Sequence, residues 1–457
     1  MSFSDPIDAL LDVAHALPAC AVPASVLAFQ RKRILDNLGC IAAGYQQAGT
    51  EAALQLARQW SGVEQATVLG SRERLSAPQA AFINAVRARA LDYCDVISPG
   101  WHPSSSDIPV ALAMAEHCAS SGEEMLAALA IAQDIGQRIN LASQANGFFY
   151  RGFDSNVLGL ISAAIIAARL LKLDRQAFAD AVGLAFDSGI GTFQHYQDKV
   201  LAVRIGQGMV ARHGIEAALL AQAGISGPRR VLGGENGFFR LYAPAAPDLE
   251  RLNTETGVQF LGEEATCFKL YPHCSILLAL GDTLLAQPEL SNHQLQNCRL
   301  QLRVSPTLRM VCGGPFEPGA TAEIDAQFSA RYVTANALLR RRASPAEFNV
   351  QAVMDPEVRR LANVIELTEE PAFERFDQCH LTLTAPGMAP RLLSMAYGRG
   401  WPENPLGIDE IKHKFMTCCA LSGAEGFVQH ASSIIEKVEK LKATASVTQW
   451  ISTLLEG

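Results

Sequence analysis

Apolar residues recur at steps of three and four positions through most of the first 261 residues, and this periodicity constrains the fold more than any other feature of the chain. Such spacing places apolar side chains on one face of an α-helix, whereas a half-buried strand needs strict alternation. The segments PASVLAFQRKRILDNLGCIAAGY and EEMLAALAIAQDIGQRINLAS are typical, and alanine, glycine and serine are frequent on the apolar faces. Small residues let helices approach closely. The pattern predicts a compact helical domain, and the absence of a fixed repeat period argues against a solenoid.

The pattern changes near residue 265. RLQLRV and HLTLTA alternate apolar and polar residues over the length of a strand, and DPEVRRLANVIEL between them predicts a short helix. The last 55 residues return to helical spacing, and 457 residues are too many for one ordinary core. We therefore expect a mainly α fold with an inserted α+β domain. The predicted parts are residues 1–264 (first part of a large all-helical domain), 265–402 (a smaller α+β domain) and 403–457 (helices that return to the large domain).

Composition excludes several classes of protein. A hydrophobic content of 49% with 18% charged residues is that of a well-buried globular chain, and a net charge of -8 argues against a nucleic-acid partner. The eleven cysteines are scattered and include no CxxC pair, which is typical of reduced thiols in the cytoplasm. The N-terminus lacks the basic region of a signal peptide, and the most apolar window (157–171) is too short to span a bilayer. We expect a cytoplasmic protein without a membrane partner.

Two segments carry candidate chemistry. In LDYCDVISPGWHPSSSDIPVALAMAE, the serines suit the start of a helix, while His102 follows Asp92 closely enough for an acid/base pair. A purely structural role for these residues is the alternative. In CFKLYPHCS, Lys269 lies where the pattern changes and is either an ordinary surface lysine or a cation that holds a carboxylate in an interdomain cleft. Cys274 is a candidate nucleophile, although a buried inert thiol fits the apolar helix pattern that follows it better.

Other chemistries have weaker support. GQGMVA (206–211) matches a dinucleotide fingerprint, but no βαβ unit surrounds it, so glycines that allow close approach of helices are the better interpretation. The ten histidines include no HxxxH or HxH pair, which argues against a metal site. A G-x-S-x-G nucleophile motif is also absent.

Five segments in order resemble the MmgE/PrpD family, which includes 2-methylcitrate dehydratase, cis-aconitate decarboxylase and iminodisuccinate epimerase. The resemblance covers most of the chain, and the segments that carry it are ALDYCDVISPGWHPSSSDIPVALAMAE, GFDSNVLGLISAAIIAARLLKLD, GMVARHGIEAALLAQAGISGPRRVLGGENGFFRLY, FKLYPHC and DAQFSARYVTANALL. The resemblance implies a helical domain with a smaller α+β lid domain, a homodimer, and an active site between the two domains. It also implies removal of a proton next to a carboxylate, followed by loss of water or carbon dioxide or by reprotonation, with no metal and no organic cofactor.

Site residues follow from the resemblance position by position. Asp92, His102, Lys269 and Tyr332 match catalytic positions. His102 would be the acid/base group with a pKa near neutrality, Asp92 would orient or polarise it, Lys269 would bind a carboxylate, and Tyr332 would donate a hydrogen bond or a proton. Candidate substrate-binding residues are Arg204, His273, Ser104 and Asp154.

The chain also departs from the family pattern. Val96 stands where the decarboxylase pattern has threonine. Val203 stands where the family has lysine, and Gly206 and Leu278 stand where it has histidine. The family's histidine after Gly-Phe is either replaced by Asp154 or lost to a one-residue gap. We predict a cofactor-independent lyase, a dehydratase or decarboxylase, that acts on a small di- or tricarboxylic acid, with a smaller or less charged substrate favoured by these departures. Alternatives are an epimerase or isomerase of the same fold, a non-catalytic carboxylate-binding protein, and, more weakly, a nucleotide-binding oxidoreductase.

Overall fold

A computed structural model describes residues 5–98, 100–143, 152–189, 191–243, 245–263 and 265–454. The fold is mainly α with a smaller α+β part, as the periodicity predicts. The helices before residue 265 are α1 (Ile7–Ala16), α2 (Ala24–Ala43), α3 (Thr50–Trp60), α4 (Ala77–Arg89), α5 (Pro103–His117), α6 (Gly122–Ala142), α7 (Asn156–Leu170), α8 (Arg175–Asp187), α9 (Gln194–Gln197), α10 (Ala202–Gln222), α11 (Phe238–Tyr242) and α12 (Leu249–Asn253).

The remaining helices divide into a middle group and a C-terminal group. The middle group is α13 (Leu278–Leu285), α14 (Asn292–Gln296), α15 (Pro306–Cys312), α16 (Ala322–Gln327), α17 (Ala330–Arg340), α18 (Val350–Val353) and α19 (Pro356–Asn363). The C-terminal group is α20 (Ile408–Ala420), α21 (Glu425–Glu439) and α22 (Val447–Leu454). Short 3-10 turns lie at Ala19–Ala21, Ser275–Leu277, Pro345–Phe348 and Leu441–Ala443.

Within the described ranges, the strands form one four-stranded sheet and two short ladders. They are β1 (Ala66–Thr67), β2 (Arg74–Leu75), β3 (Val96–Ile97), β4 (Thr266–Cys267), β5 (Arg299–Val304), β6 (Ile365–Glu369), β7 (Cys379–Thr384) and β8 (Arg391–Ser394). The large sheet has the order β6-β5-β7-β8, in which only β5 and β6 are parallel. Alternate residues of β5 and β7 are buried, so the period-two pattern read from the sequence marks the core face of the sheet.

Close helix packing explains the small residues of the helical part. Helix α10 packs against α4, α7 and α8. A Cβ atom added at Gly214 would lie 2.3 Å from Ala163 Cβ, and one at Gly208 would lie 2.6 Å from a methyl group of Val86. Gly206 and Gly208 both lie inside α10, so GQGMVA is one helix and not the strand-turn-helix that a dinucleotide fingerprint requires.

The buried apolar residues form two large cores. One core contains residues of the first helices, from Ile7 to Leu252, together with Phe268 and C-terminal residues from Leu406 to Leu454. The other contains residues from Ile276 to Met395, joined by Phe193, Tyr196 and Val203. On the evidence of these cores we propose the domain division at 264/265 and 402/403.

A two-residue ladder connects distant parts of the chain. Strand β3 pairs antiparallel with β4, with Val96 opposite Cys267 and Ile97 opposite Thr266. The ladder therefore holds the turn before α5 against the segment that leads into the second core. None of the described helices combines the length and the apolar character needed to cross a membrane.

Candidate active site

A cavity lies where the helical core meets the α+β core. It encloses about 560 Å³ of space between atoms, part of it open to solvent. Its lining residues come from both sides: Arg89, Asp92, Val96, Ser98, Gly100, His102, Phe193, Tyr196, Lys269, Cys274, Ser275, Ile276, Thr307, Val311, Phe328, Phe376 and Trp401. The cavity thus collects ionisable groups at one place and apolar side chains around them, as substrate sites commonly do.

Asp92 lies just beyond the end of α4 in a left-handed backbone conformation, with φ of 48°. A non-glycine residue in this region carries backbone strain, and such strain often occurs at functional sites. Its Oδ1 atom accepts hydrogen bonds from Arg89 and from Lys269 Nζ, the latter at 2.7 Å. Lys269 Nζ also donates to the Asp92 carbonyl oxygen at 2.8 Å. The structure therefore brings the sequence candidates Asp92 and Lys269 into direct contact.

The charge state of Asp92 follows from its two cationic partners. Burial by itself would raise the pKa of the carboxyl group, but the opposing charges of Arg89 and Lys269 hold that pKa well below its usual range. Asp92 therefore remains an anion at every pH at which the protein is expected to work. Its Oδ2 atom is buried and has no hydrogen-bond partner among the described residues.

His102 lines the same cavity, and its Nδ1 atom lies 2.9 Å from the Asp95 carbonyl oxygen. A carbonyl oxygen only accepts, so Nδ1 carries the proton and Nε2 carries the lone pair. Burial, followed by the charges of Arg89 and Lys269, lowers the pKa of His102 well below 6.5. The near-neutral pKa expected from the sequence is therefore wrong for the folded protein, and the imidazole is a neutral base at physiological pH.

The neighbouring polar residues hold the His102 turn in place. Ser104 Oγ donates to Asp95 Oδ2 at 2.6 Å, and Arg33 lies 3.5 Å from the same carboxylate. All three side chains are buried. Ser104, predicted to bind substrate, is turned toward Asp95 and does not line the cavity, so its structural role in the turn accounts for its position.

Arg89 and Tyr196 line the cavity but are missing from the sequence candidates. Arg89 is the last residue of α4, is 1% exposed, and lies 3.4 Å from the Tyr196 hydroxyl oxygen. The available signal was its position three residues before Asp92, a spacing that suits an ion pair. Tyr196 offered no such signal because it reaches the cavity from a separate helix, α9.

His273 and Cys274 lie next to each other at the edge of the second core. His273 is fully buried, its Nδ1 lies 3.0 Å from the Cys274 carbonyl oxygen, and burial lowers its pKa to about 4. Cys274 lines the cavity, and a hydrogen bond from the Cys312 thiol lowers its pKa. The cavity therefore contains Cys274 but not the predicted substrate-binding residue His273.

Three further sequence candidates, Tyr332, Arg204 and Asp154, lie outside the cavity lining. Tyr332 is fully buried between Phe316 and Phe348, and its hydroxyl donates to the Glu347 carbonyl oxygen. Arg204 is buried in α10 and donates to the Ala48 carbonyl oxygen at 2.7 Å.

Asp154 lies with its Oδ2 atom 2.9 Å from His195 Nε2. The His195 ring in turn packs against the Tyr196 ring, tilted by 58°, with 4.3 Å between ring centroids. Asp154 is the residue that stands where the family pattern has a histidine. The histidine beside it, His195, comes from a different part of the chain. Among the described residues, no group of three or more His, Cys, Asp or Glu side chains is arranged to hold a metal ion.

The lowered pKa values of His102 and His273 predict how the stability and the activity of the protein depend on pH. A histidine with a lower pKa in the folded than in the unfolded protein stabilises the fold above pH 6.5, and this contribution is lost as the pH falls through the folded pKa. We expect kcat/KM to stay constant from about pH 8 down to pH 6.5, with its acid limb below that point. Rates and thermal midpoints measured at each pH separate the two effects. An acid limb centred at or above 6.5 in folded protein contradicts the assignment of His102.

Comparisons with known proteins give a consistent result. Residues 8–249 match the model of the MmgE/PrpD N-terminal domain, and residues 287–440 match that of the MmgE/PrpD C-terminal domain. The chain is 25% identical to cis-aconitate decarboxylase of Mus musculus and 26% identical to that of Homo sapiens, over 97% of this chain and 92% and 93% of those proteins. It is 25% identical to 2-methylcitrate dehydratase of Cupriavidus necator, over 81% of this chain and 79% of that protein.

Proposed function

The chain belongs to the MmgE/PrpD family, and from that premise we propose that it is a lyase that removes a proton next to the carboxylate of a small carboxylic acid. The relatives named above are a decarboxylase and a dehydratase, so both outcomes are open for this chain. The proposed reaction begins with the step that these outcomes share, the loss of a proton from a carbon next to a carboxylate.

One observation carries the proposal: a neutral imidazole and two cationic side chains line the same cavity. His102 presents a lone pair on Nε2, while Arg89 and Lys269 meet at Asp92 Oδ1. A base and fixed positive charges beside the same ligand are what proton removal next to a carboxylate requires.

The chemistry of the residues suggests their roles. Lys269 and Arg89 hold the substrate carboxylate and stabilise the negative charge that develops on it when the neighbouring carbon loses its proton. His102 Nε2 accepts that proton. Asp92 fixes both cations in place, because its single Oδ1 atom contacts both of them. Since these groups are already ordered in the buried site, little reorganisation is needed during the reaction.

Two alternative functions would use all or part of the same site. An epimerase would use the same base and then return a proton to the same carbon. A non-catalytic binding protein would use only the cations, and the loss of polar family residues at Val96, Val203 and Gly206 keeps this reading open. Of these three positions, only Val96 lines the cavity.

Proton exchange in deuterated buffer tests the proposal. We expect wild-type protein to exchange a hydrogen next to a carboxylate, seen by NMR, in at least one compound of a panel of hydroxy, unsaturated and amino carboxylic acids, and the His102→Asn variant to lose this exchange. Asparagine keeps a donor for the Asp95 carbonyl oxygen and removes the base. Binding without exchange by wild-type protein favours the non-catalytic alternative, whereas equal exchange by both proteins excludes His102 as the base.

We also propose that the protein is a cytoplasmic homodimer that works without metal or organic cofactor. All eleven cysteines are free thiols, which supports a reducing compartment. The dimer rests on the family alone and is tested by light scattering of the purified protein. Activity that survives dialysis against a chelator supports metal independence.

A further inference from the structure

The described lining of the cavity carries less net positive charge than the substrates named for the related enzymes would lead one to expect. Its described ionisable lining residues are Arg89, Asp92, His102, Tyr196, Lys269 and Cys274. His102 is neutral, and burial raises the pKa of Tyr196, so its phenol stays protonated. The two cations Arg89 and Lys269 face the one anion Asp92, which leaves a single excess positive charge. A Cys274 thiolate would reduce that excess further.

A single excess positive charge neutralises one carboxylate. Both cations already share the Asp92 Oδ1 atom, with Lys269 Nζ 2.7 Å from it. Each additional substrate carboxylate would enter the site without an opposite charge, and burying an unpaired carboxylate is strongly unfavourable. The charge of the described site therefore limits the substrate to one carboxylate held by Arg89 and Lys269.

The rest of the wall is mainly apolar. It consists of Phe193, Ile276, Val311, Phe328, Phe376 and Trp401. Phe376 and Trp401 pack edge to face with their ring centroids 5.4 Å apart. Such a surface gains free energy by covering an aliphatic or aromatic group and carries no charge that could neutralise an anion.

Neutral hydrogen-bonding groups are also present at the cavity. Ser98, Ser275 and Thr307 line it, and each carries a hydroxyl group. Val96, where the decarboxylase pattern has threonine, adds methyl groups in place of a hydroxyl. Neutral hydroxyls suit an uncharged polar group of the substrate, such as an alcohol, better than a second carboxylate.

We propose that the preferred substrate is a hydroxy acid with one carboxylate and an aliphatic or aromatic remainder, in contrast to the di- or tricarboxylic acid expected from the sequence. This inference rests on the proposed function for its place in a reaction, but it makes a separate statement about binding. The carboxylate lies at Arg89 and Lys269, the hydroxyl near the neutral polar groups, and the remainder against the apolar wall.

A matched pair of compounds tests this inference. 3-Hydroxyhexanoate and 3-hydroxyadipate differ only in the terminal group, which is a methyl group in one and a carboxylate in the other. We expect 3-hydroxyhexanoate to bind wild-type protein at least about tenfold more tightly by calorimetry. 3-Hydroxy-3-phenylpropanoate serves as the aromatic probe and is also expected to bind more tightly than 3-hydroxyadipate.

A variant that adds a positive charge to the wall tests the same inference by changing the protein instead of the ligand. Val311 lines the cavity and is only partly buried, so lysine at this position has room to extend. We expect Val311→Lys to reduce the preference for 3-hydroxyhexanoate by about tenfold or more, while Val311→Met keeps it. Circular dichroism establishes that both variants are folded.

The outcomes separate this inference from the proposed function. Equal or tighter binding of 3-hydroxyadipate to wild-type protein, no binding of either compound, or an unchanged preference in folded Val311→Lys overturns the inference. Tighter binding of 3-hydroxyhexanoate, with no proton exchange on any compound, supports the inference and overturns the proposed function. Exchange on 3-hydroxyadipate in preference to 3-hydroxyhexanoate supports the proposed function and overturns the inference.

Discussion

Lys269→Met is expected to lower kcat/KM by at least about 100-fold and the free energy of unfolding by about 3–5 kcal/mol. Lys269 is 1% exposed, and its Nζ atom bonds both the side chain and the carbonyl oxygen of Asp92. Its removal leaves a buried carboxylate with Arg89 as its remaining cation and takes away half of the positive charge proposed to hold the substrate. Denaturant unfolding and steady-state kinetics on the folded variant measure the two effects.

The chain offers a close structural control in Lys414. This buried lysine donates to Asp36 Oδ1 at 2.6 Å and to the Tyr93 carbonyl oxygen at 2.7 Å. Like Lys269, it therefore contacts one buried carboxylate and one backbone carbonyl oxygen. It does not line the cavity. We expect Lys414→Met to lose a similar free energy of unfolding, about 3–5 kcal/mol, but to lose less than about tenfold in kcat/KM when folded. Equal losses of activity in the two variants would show that Lys269 acts only through stability.

His102→Asn is expected to lower kcat by about 100-fold to 10,000-fold with little change in KM. The asparagine amide still donates to the Asp95 carbonyl oxygen, so the turn before α5 is kept while the basic Nε2 atom is lost. Steady-state kinetics on a compound that shows proton exchange in wild-type protein measures the effect.

Ser104→Ala is the control for the His102 turn. It removes the 2.6 Å hydrogen bond to Asp95 but leaves the imidazole in place. We expect a loss of about 1–3 kcal/mol in the free energy of unfolding, because a buried acceptor loses its partner, and less than about tenfold in kcat. If His102→Asn keeps more than a tenth of wild-type kcat, another group is the base.

Local patterns in the sequence predicted much of the secondary structure and part of the site. Helical spacing predicted the longer helices of the first 261 residues, and alternation predicted β5 and β7, because side-chain direction repeats every 3.6 or 2 residues whatever the rest of the fold does. The same local reasoning placed Asp92 and His102 together, since only a short turn separates them. It missed β6, because the apolar end of DPEVRRLANVIEL continues the pattern of the preceding helix.

Only the tertiary structure decided which groups meet in the cavity. The β3–β4 ladder brings Lys269 to Asp92 across 177 positions of sequence, and Arg89 completes the cluster, while Tyr332 and Arg204 are satisfied by backbone carbonyls elsewhere. The pKa of His102 likewise depends on its burial and on the charges of Arg89 and Lys269. The residues next to His102 in the sequence reveal neither its burial nor these charges. Periodicity is a property of a few consecutive residues and can be read from them. Charge, burial and hydrogen bonding depend on contacts between distant residues, which exist only when the chain is folded.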